Sequence, residues 1–106
     1  MTLRIAALAA AAILLASTDA GRAADPAAGE AKAKACNACH GRNGIGTASN
    51  FPNLAGQKFI YLVQQLKLFR SGERRSEQMS IVAKPLSDQD IENLAAYYEG
   101  LPPGGS

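Results

Sequence analysis

Apolar side chains recur at helical spacing in residues 57–71. They lie on one wide face and comprise Phe59, Ile60, Leu62, Val63, Leu66, Leu68 and Phe69. This spacing predicts an amphipathic helix over 57–71, and Gly72 is expected to end it because glycine suits the position after a helix. The apolar face is therefore a candidate for the core of the fold.

A second helix is predicted after Ser87, a favourable N-cap residue. Asp90 occupies the capping-box position, as an acidic variant of that pattern. The apolar residues that follow share one face: Ile91, Leu94, Ala95 and Tyr98. Gly100 is the expected C′ residue, and Pro102 and Pro103 prevent the helix from continuing.

A further helix is predicted nearer the N-terminus, over residues 27–35. Asp25 is expected to cap it, and Pro26 suits the first helical position, where its missing N–H has no cost. Gly29 interrupts a run of strong helix formers. It either permits a close crossing with another helix or is a tolerated glycine near a frayed end.

The stretches between these helices are expected to be irregular. Residues 41–56 are rich in glycine and asparagine, and residues 73–85 are mostly polar. No strand pattern, internal repeat, phosphate-binding glycine loop or Ser/His/Asp set is present in the sequence. The sequence therefore predicts an all-α fold with three main helices and long loops.

The N-terminus has the layout of a secretory signal peptide. Arg4 precedes twelve uninterrupted apolar residues, and small and polar residues follow them. We expect cleavage after Ala23, with Ala20 as the alternative site and an uncleaved leader as a further one. Residues 1–23 would then be the leader, and residues 24–106 one domain with a flexible tail at 103–106.

The leader also predicts the compartment. Twelve apolar residues are too few to cross a bilayer, which takes about 20, so no stable membrane insertion is expected after cleavage. The expected location is the periplasm, which is oxidising and permits closely spaced cysteines. Net charge is +2 for the whole chain, and loss of Arg4, Arg22 and Asp19 leaves +1. A nearly neutral balance argues against nucleic acid as a partner.

The stretch with the clearest chemistry is Cys36-Asn37-Ala38-Cys39-His40. This is the C-x-x-C-H attachment pattern for a c-type haem. On a helical turn, residues three apart face the same way, so both sulfurs reach one edge of a flat macrocycle. His40, directly after the second cysteine, is then placed to bind the iron. We expect one haem c, covalently attached through Cys36 and Cys39, with the long loops wrapping its edge.

Three other interpretations of the motif are open. A structural zinc site needs four ligands, and the sequence supplies only Cys36, Cys39 and His40 in addition to carboxylates. A thiol–disulfide exchanger would place C-x-x-C after a strand, and no strand pattern precedes Cys36. A plain disulfide would leave His40 without a role.

The sixth iron ligand is a separate question. His40 is the only histidine, and Met79 is the only methionine besides the initiator. Met79 lies in a polar stretch and offers a thioether, the ligand that raises haem potential in electron carriers. The alternative is an exposed methionine and an open iron. A ligating histidine usually donates its other N–H to an acceptor, and a carbonyl near Pro52 is a candidate because proline has no N–H of its own.

Several segments together resemble one known family. They are Gly29-x6-Cys36-x2-Cys39-His40-Gly41, Pro52-Asn53-Leu54-Ala55-Gly56-Gln57, Tyr61-Leu62, Gln65-Leu66, Phe69-Arg70-x-Gly72, Met79, Leu86-Ser87-Asp88-Gln89-Asp90-Ile91 and Leu94-Ala95-Ala96-Tyr97-Tyr98. On these segments residues 29–100 resemble the class I cytochromes c, most closely the small bacterial periplasmic group whose diheme relatives repeat this domain twice.

The resemblance implies several residue roles. The carbonyl of Pro52 would accept a hydrogen bond from His40, and Met79 would be the sixth ligand. Gly29 would let the first helix cross the last beside Leu94 and Tyr97. Two departures from the family are Ala33, where many members have an aromatic residue, and Ile81-Val82, which replaces a Pro-Met pair. Gln57, Tyr61 and Arg70 are either contacts of the haem propionates or surface residues.

The expected function is electron transfer without catalysis. Two protein ligands on the iron and no acid–base pair beside it leave no place for substrate chemistry. We expect a monomeric one-electron carrier with transient protein donors and acceptors. The alternatives are a haem c subunit of a periplasmic dehydrogenase and a gas-binding or sensory haem protein.

Overall fold

The computed structural model describes residues 23–104. The predicted leader therefore lies outside the described residues, except for Ala23. The tail predicted to be flexible is described only at Pro103 and Gly104, which lie beside Gly56 and Ile45 respectively. Flexibility of the tail and the cleavage site remain predictions.

All the regular elements of the described chain are helical, with no strand between residues 23 and 104. The first predicted helix is formed by three successive pieces: α1 (Pro26–Lys32), a 3₁₀ segment (Ala33–Cys36) and α2 (Asn37–His40). The other elements are α3 (Phe59–Ser71), α4 (Met79–Ala83) and α5 (Asp88–Glu99). The predicted all-α fold with three main helices is confirmed.

Helix α3 begins at Phe59, two residues later than the apolar pattern predicted. Lys58 is the N-cap and has an extended backbone, with φ −64° and ψ 134°. The side chain of Glu99, at the end of α5, accepts a hydrogen bond from the Phe59 N–H at 2.9 Å. The start of α3 is therefore set by a contact with another helix, which the local sequence does not reveal.

Helix α4 corrects the prediction that residues 73–85 are irregular. Two side-chain hydrogen bonds organise its first turn: Met79 N–H donates to Ser76 Oγ at 3.1 Å, and Ser76 N–H donates to Ser80 Oγ at 3.1 Å. Ala83 is completely buried, and α4 packs against α3. The helix forms because the serine hydroxyls at its first turn accept hydrogen bonds from backbone N–H groups, while Ala83 at its end is buried.

The predicted N-caps of the first and last helices are both present. Asp25 Oδ1 accepts hydrogen bonds from the N–H groups of Ala27 and Ala28. Ser87 and Asp90 form the reciprocal capping box. Gly100 differs from the expected left-handed C′ residue, because it keeps a right-handed backbone at φ −79°. The end of α5 therefore does not use the left-handed backbone conformation that favours glycine.

The crossing of α1 and α5 depends on Gly29. A Cβ atom at this position would lie 2.0 Å from the carbonyl oxygen of Asn93 and 2.9 Å from Tyr97 Cβ. The close crossing predicted from the sequence is therefore confirmed, although the contact involves the Asn93 backbone rather than Leu94. A second tie across the crossing is the hydrogen bond from Asp25 N–H to Asn93 Oδ1 at 2.8 Å.

The core of the described domain is small. Its buried apolar residues are Ala33, Ala55, Leu62, Ala83, Ile91, Leu94, Ala95 and Tyr98. The predicted inner face of α5 accounts for four of these residues, and four of the eight are alanines. Within residues 23–104, no helix is long and apolar enough to span a bilayer. Of the other apolar side chains of α3, Leu66 and Phe69 line a cavity, whereas Phe59 and Val63 pack against this core.

Candidate functional site

A cavity of ≈ 570 Å³ lies between the helices and the 41–56 loop, within the size range of cofactor pockets. Leu62, Leu66 and Phe69 of α3 form part of its apolar wall, together with Val82, Leu86 and Leu94. The same cavity is lined by all five residues of the predicted site: Cys36, Cys39, His40, Pro52 and Met79. We call it the central cavity.

Cys36 and Cys39 occupy successive turns of helical backbone at the wall of the central cavity. Cys36 ends the 3₁₀ segment and Cys39 lies within α2. Both thiols are half-buried and free, so the plain disulfide is not formed in this structure. Burial raises the pKa of the Cys36 thiol, and the nearby Tyr98 hydroxyl offsets part of that rise. The pair presents two sulfurs to one cavity.

His40 is buried, with 7% of its surface exposed. Its Nδ1 lies 2.8 Å from the carbonyl oxygen of Pro52. A carbonyl only accepts, so Nδ1 carries the proton in this hydrogen bond and Nε2 keeps a free lone pair. That is the tautomer a metal-ligating histidine requires. The contact is the one that the resemblance implied for Pro52.

The 41–56 loop holds Pro52 in place through its own hydrogen bonds. The carbonyl of Gly44 accepts from Leu54 N–H at 2.7 Å and from Ala55 N–H at 3.1 Å, and Asn53 Oδ1 accepts from Gly46 N–H at 2.7 Å. Gly41 leaves α2 at φ +83°, where a Cβ atom would lie 2.0 Å from the Ile45 carbonyl oxygen. A loop that appears irregular in sequence is thus a hydrogen-bonded support for the His40 acceptor.

Met79 is half-buried at the first position of α4 and lines the central cavity. The bond from its N–H to Ser76 Oγ fixes the backbone at this point. The structure therefore brings together the two predicted axial residues, 39 positions apart in sequence, at one cavity. Their roles as iron ligands remain predictions.

The three candidates for propionate contacts separate in the structure. Gln57 and Tyr61 line the central cavity. Arg70 does not, because its guanidinium donates to the Leu86 carbonyl at 2.9 Å and to Asp88 Oδ1 at 2.7 Å. The cations at the cavity are instead Lys32, Arg74 and Arg75. The sequence offered one signal for the arginines, namely their position a few residues before Met79.

The lining fits a haem. It combines a large apolar surface with two thiols, an imidazole and a thioether, and its described members include no carboxylate. It also contains an orphaned polar atom: the buried Tyr98 hydroxyl has no hydrogen-bond partner in the described chain. Conversely, no group of three or more histidine, cysteine or acidic side chains in residues 23–104 is arranged for a metal ion alone. The zinc alternative therefore has no support.

Comparison with known proteins agrees with this fit. The profile of the cytochrome c family matches residues 26–101. Cytochrome c4 of Pseudomonas aeruginosa is 47% identical over 76 residues, which are 72% of this chain and 38% of that protein. Cytochrome c-554(548) of Halomonas halodenitrificans is 47% identical over 79 residues, covering 72% of this chain and 95% of that protein.

A solved structure shows the same fold. Reduced recombinant cytochrome c4 from Pseudomonas stutzeri superposes with a TM-score of 0.72 and 40% identity, covering 76% of this chain and 47% of that one. The chain thus spans about half or less of the length of the cytochromes c4 it matches, as one half of a diheme protein would. With its single C-x-x-C-H motif it carries one haem c, attached through Cys36 and Cys39. The chain belongs to the cytochrome c family.

Proposed function

We propose that the protein is a one-electron carrier whose haem iron is bound by His40 and Met79. The observation that carries the proposal is that both side chains line the cavity that contains Cys36 and Cys39. The haem supplies the one-electron chemistry, and methionine/histidine ligation favours the high potential typical of carriers. The contribution of the chain is to hold, orient and shield the group.

The residues at the site favour electron transfer over catalysis. The Pro52 carbonyl orients His40 through Nδ1, which commits Nε2 to the cavity. The central cavity has no carboxylate among its described lining residues, so no carboxylate general base accompanies the histidine. With both axial positions filled by protein, the iron would have no coordination site for a substrate. We infer that the protein is not an enzyme.

The leader predicted at residues 1–23 supports a periplasmic location. The nearly neutral mature chain supports transient contacts with protein donors and acceptors rather than with nucleic acid. We also infer that the mature protein is a monomer without membrane insertion. A stable partner that co-purifies with it would indicate the alternative, a haem c subunit of a dehydrogenase.

The test is a visible spectrum of the periplasmic protein, oxidised and reduced, with and without carbon monoxide. A haem stain after denaturing electrophoresis accompanies it. The expected result is haem that stays on the denatured chain and a low-spin spectrum that carbon monoxide does not change. Loss of haem on denaturation would contradict thioether attachment. Ready binding of carbon monoxide would instead support the gas-binding alternative.

Met79→Ala tests the sixth ligand directly. We expect the variant to retain its haem, bind carbon monoxide when reduced and have a lower reduction potential, since the thioether stabilises ferrous iron. Val82→Ala is the matched control, because it truncates another α4 side chain that lines the same cavity. If the two variants behave alike, Met79 is not a ligand and the carrier proposal fails.

A further inference from the structure

The hydroxyl of Tyr98 is the one buried side-chain polar atom without a hydrogen-bond partner in residues 23–104. Tyr98 is only 3% exposed and lines the central cavity. Buried hydroxyl groups are nearly always hydrogen-bonded, because an unpaired one loses its water without compensation. The structure therefore presents a donor at the cavity wall that forms no hydrogen bond within the described chain.

Tyr98 cannot easily move to reach solvent. It is part of the core cluster with Ala33, Leu62, Leu94 and Ala95. Its carbonyl oxygen accepts a hydrogen bond from Gly56 N–H at 2.8 Å, which ties α5 to the 41–56 loop. The ring is thus held between the helices with its hydroxyl buried.

The neighbouring polar group is the sulfur of Cys36. Cys36 packs against the same core cluster and lines the same cavity. The Tyr98 hydroxyl lowers the pKa of the Cys36 thiol, although burial raises that pKa by more. This sulfur is also one of the two through which the haem is attached. A thioether has no proton to donate and is a weak acceptor, so the hydroxyl is the donor in any contact between them.

We propose that, in the haem-bearing protein, the Tyr98 hydroxyl donates a hydrogen bond to the Cys36 thioether sulfur and thereby favours reduced haem. Hydrogen bonding around the cofactor is one of the ways in which a protein sets haem potential. A donor at the sulfur draws electron density from the macrocycle edge, which stabilises the electron-rich ferrous form. Tyr98 is then a positioning residue that acts on the potential through Cys36.

Tyr97 provides a matched control on the same helix. It is adjacent in sequence, and its ring centroid is 5.0 Å from that of Tyr98. Its hydroxyl donates to the Arg42 carbonyl at 3.4 Å, in an exposed contact outside the cavity lining. Tyr97→Phe and Tyr98→Phe therefore remove the same atom from two neighbouring positions, of which one faces the cavity.

The experiment compares both variants with the parent protein, each with its haem attached. We expect Tyr98→Phe to lower the reduction potential, by about a two- to fivefold change in the oxidised-to-reduced ratio. It should also lower the thermal midpoint and shift the thioether C–S band in the resonance Raman spectrum. Tyr97→Phe should change none of the three. A higher thermal midpoint of Tyr98→Phe with an unchanged reduction potential would overturn the proposal, because it would show that the Tyr98 hydroxyl has no hydrogen-bond partner.

A second pair of variants identifies the acceptor. In a Cys36→Ala background, where the haem is held by Cys39 alone, Tyr98→Phe should no longer change the potential. If it still does, the acceptor is another atom of the haem and Cys36 is not involved. Should that background fail to retain haem, an unshifted C–S band in Tyr98→Phe leads to the same conclusion. The inference rests on attachment at Cys36 and on the proposed carrier role, but carbon monoxide binding tests that role independently.

Discussion

At His40, one hydrogen bond decides which ring nitrogen is available. Because Nδ1 is 2.8 Å from the Pro52 carbonyl, the lone pair lies on Nε2 and the ring is unable to rotate freely. The side chain is also buried, which protects the hydrogen bond from water. The carbonyl of Pro52, twelve positions further along the chain, therefore orients the His40 ring so that Nε2 can bind a metal.

Met79→His is a test of ligand type at the residue scale. The imidazole would restore a protein ligand at the sixth position but exchange a soft thioether for nitrogen. We expect a low-spin haem that resists carbon monoxide more than Met79→Ala does, with a reduction potential below that of the parent. The measurements are potentiometry and the visible spectrum. An unchanged potential would mean that Met79 does not set it.

At the scale of elements, α5 is the helix that α1 and α3 both pack against. It supplies Ile91, Leu94, Ala95 and Tyr98 to the core. Its Asn93 side chain accepts hydrogen bonds from Asp25 N–H at 2.8 Å and from Gln89 Nε2 at 2.9 Å. The start of α1 is thus connected to the middle of α5 by both packing and polar contacts.

Gly29→Ala is expected to destabilise this crossing. Helix propensity alone would make the alanine variant more stable by about 1 kcal/mol, but its Cβ would lie 2.0 Å from the Asn93 carbonyl oxygen. We expect a net loss of about 1–3 kcal/mol, as in overpacked cores, measured by denaturant unfolding. Glu30→Ala, at an exposed neighbouring position, should show no such loss. A stabilised Gly29→Ala would contradict the close crossing.

The capping box of α5 gives a prediction about acid. The pKa of Asp90 is lowered from 3.8, chiefly by the hydrogen bond from the Ser87 N–H. Its contribution to stability is therefore present above that pH and is lost as the pH falls below it. The pKa of Asp88 is lowered by Arg70, with the same sign. Both carboxylates favour the folded state only when ionised.

We expect Asp90→Asn to lose less stability than the parent between about pH 5 and about pH 2. The amide oxygen can still accept the capping hydrogen bond, but it does not titrate. Glu92→Gln is the control, because it removes a carboxylate of α5 that is not part of the cap. Thermal unfolding followed over this pH range is the measurement. Equal acid sensitivity of the parent and Asp90→Asn would show that the cap does not depend on charge.

At the scale of the whole molecule, the protein core is too small to account for the fold. Half of its eight buried apolar residues are alanines, and domains of this size usually require a further constraint. The larger apolar side chains Leu66, Phe69 and Val82 line the central cavity instead. The haem is therefore a structural component, since its faces are what these side chains would cover.

Removal of both attachment residues should consequently unfold the protein. We expect Cys36→Ala/Cys39→Ala to lack most of the parent's helical signal in far-ultraviolet circular dichroism, because the cavity wall would be left exposed to water. Val82→Ala, with its haem attached, should keep that signal. Native helix content in the double variant would show that the core of eight residues suffices alone.

The sequence by itself determined the features that depend on neighbouring residues. The C-x-x-C-H motif, the face of α5 and the caps at Asp25 and Ser87 are local patterns with one physical explanation each. Gly29 was open to two interpretations in the sequence, a close helix crossing or a tolerated glycine near a frayed end, and the structure shows the crossing. The motif and the family resemblance were sufficient to predict the haem and the fold.

Only the tertiary structure decided which distant side chains share the cavity. Arg70 does not line the central cavity, because its guanidinium donates hydrogen bonds to the Leu86 carbonyl and to Asp88. Arg74 and Arg75 line the cavity instead. Part of the polar stretch 73–85 forms α4, whose first turn is held by the hydrogen bonds of Ser76. The tertiary structure also left the Tyr98 hydroxyl without a hydrogen bond inside residues 23–104. These outcomes depend on packing between elements far apart in the chain, and a local sequence pattern contains no information about such contacts.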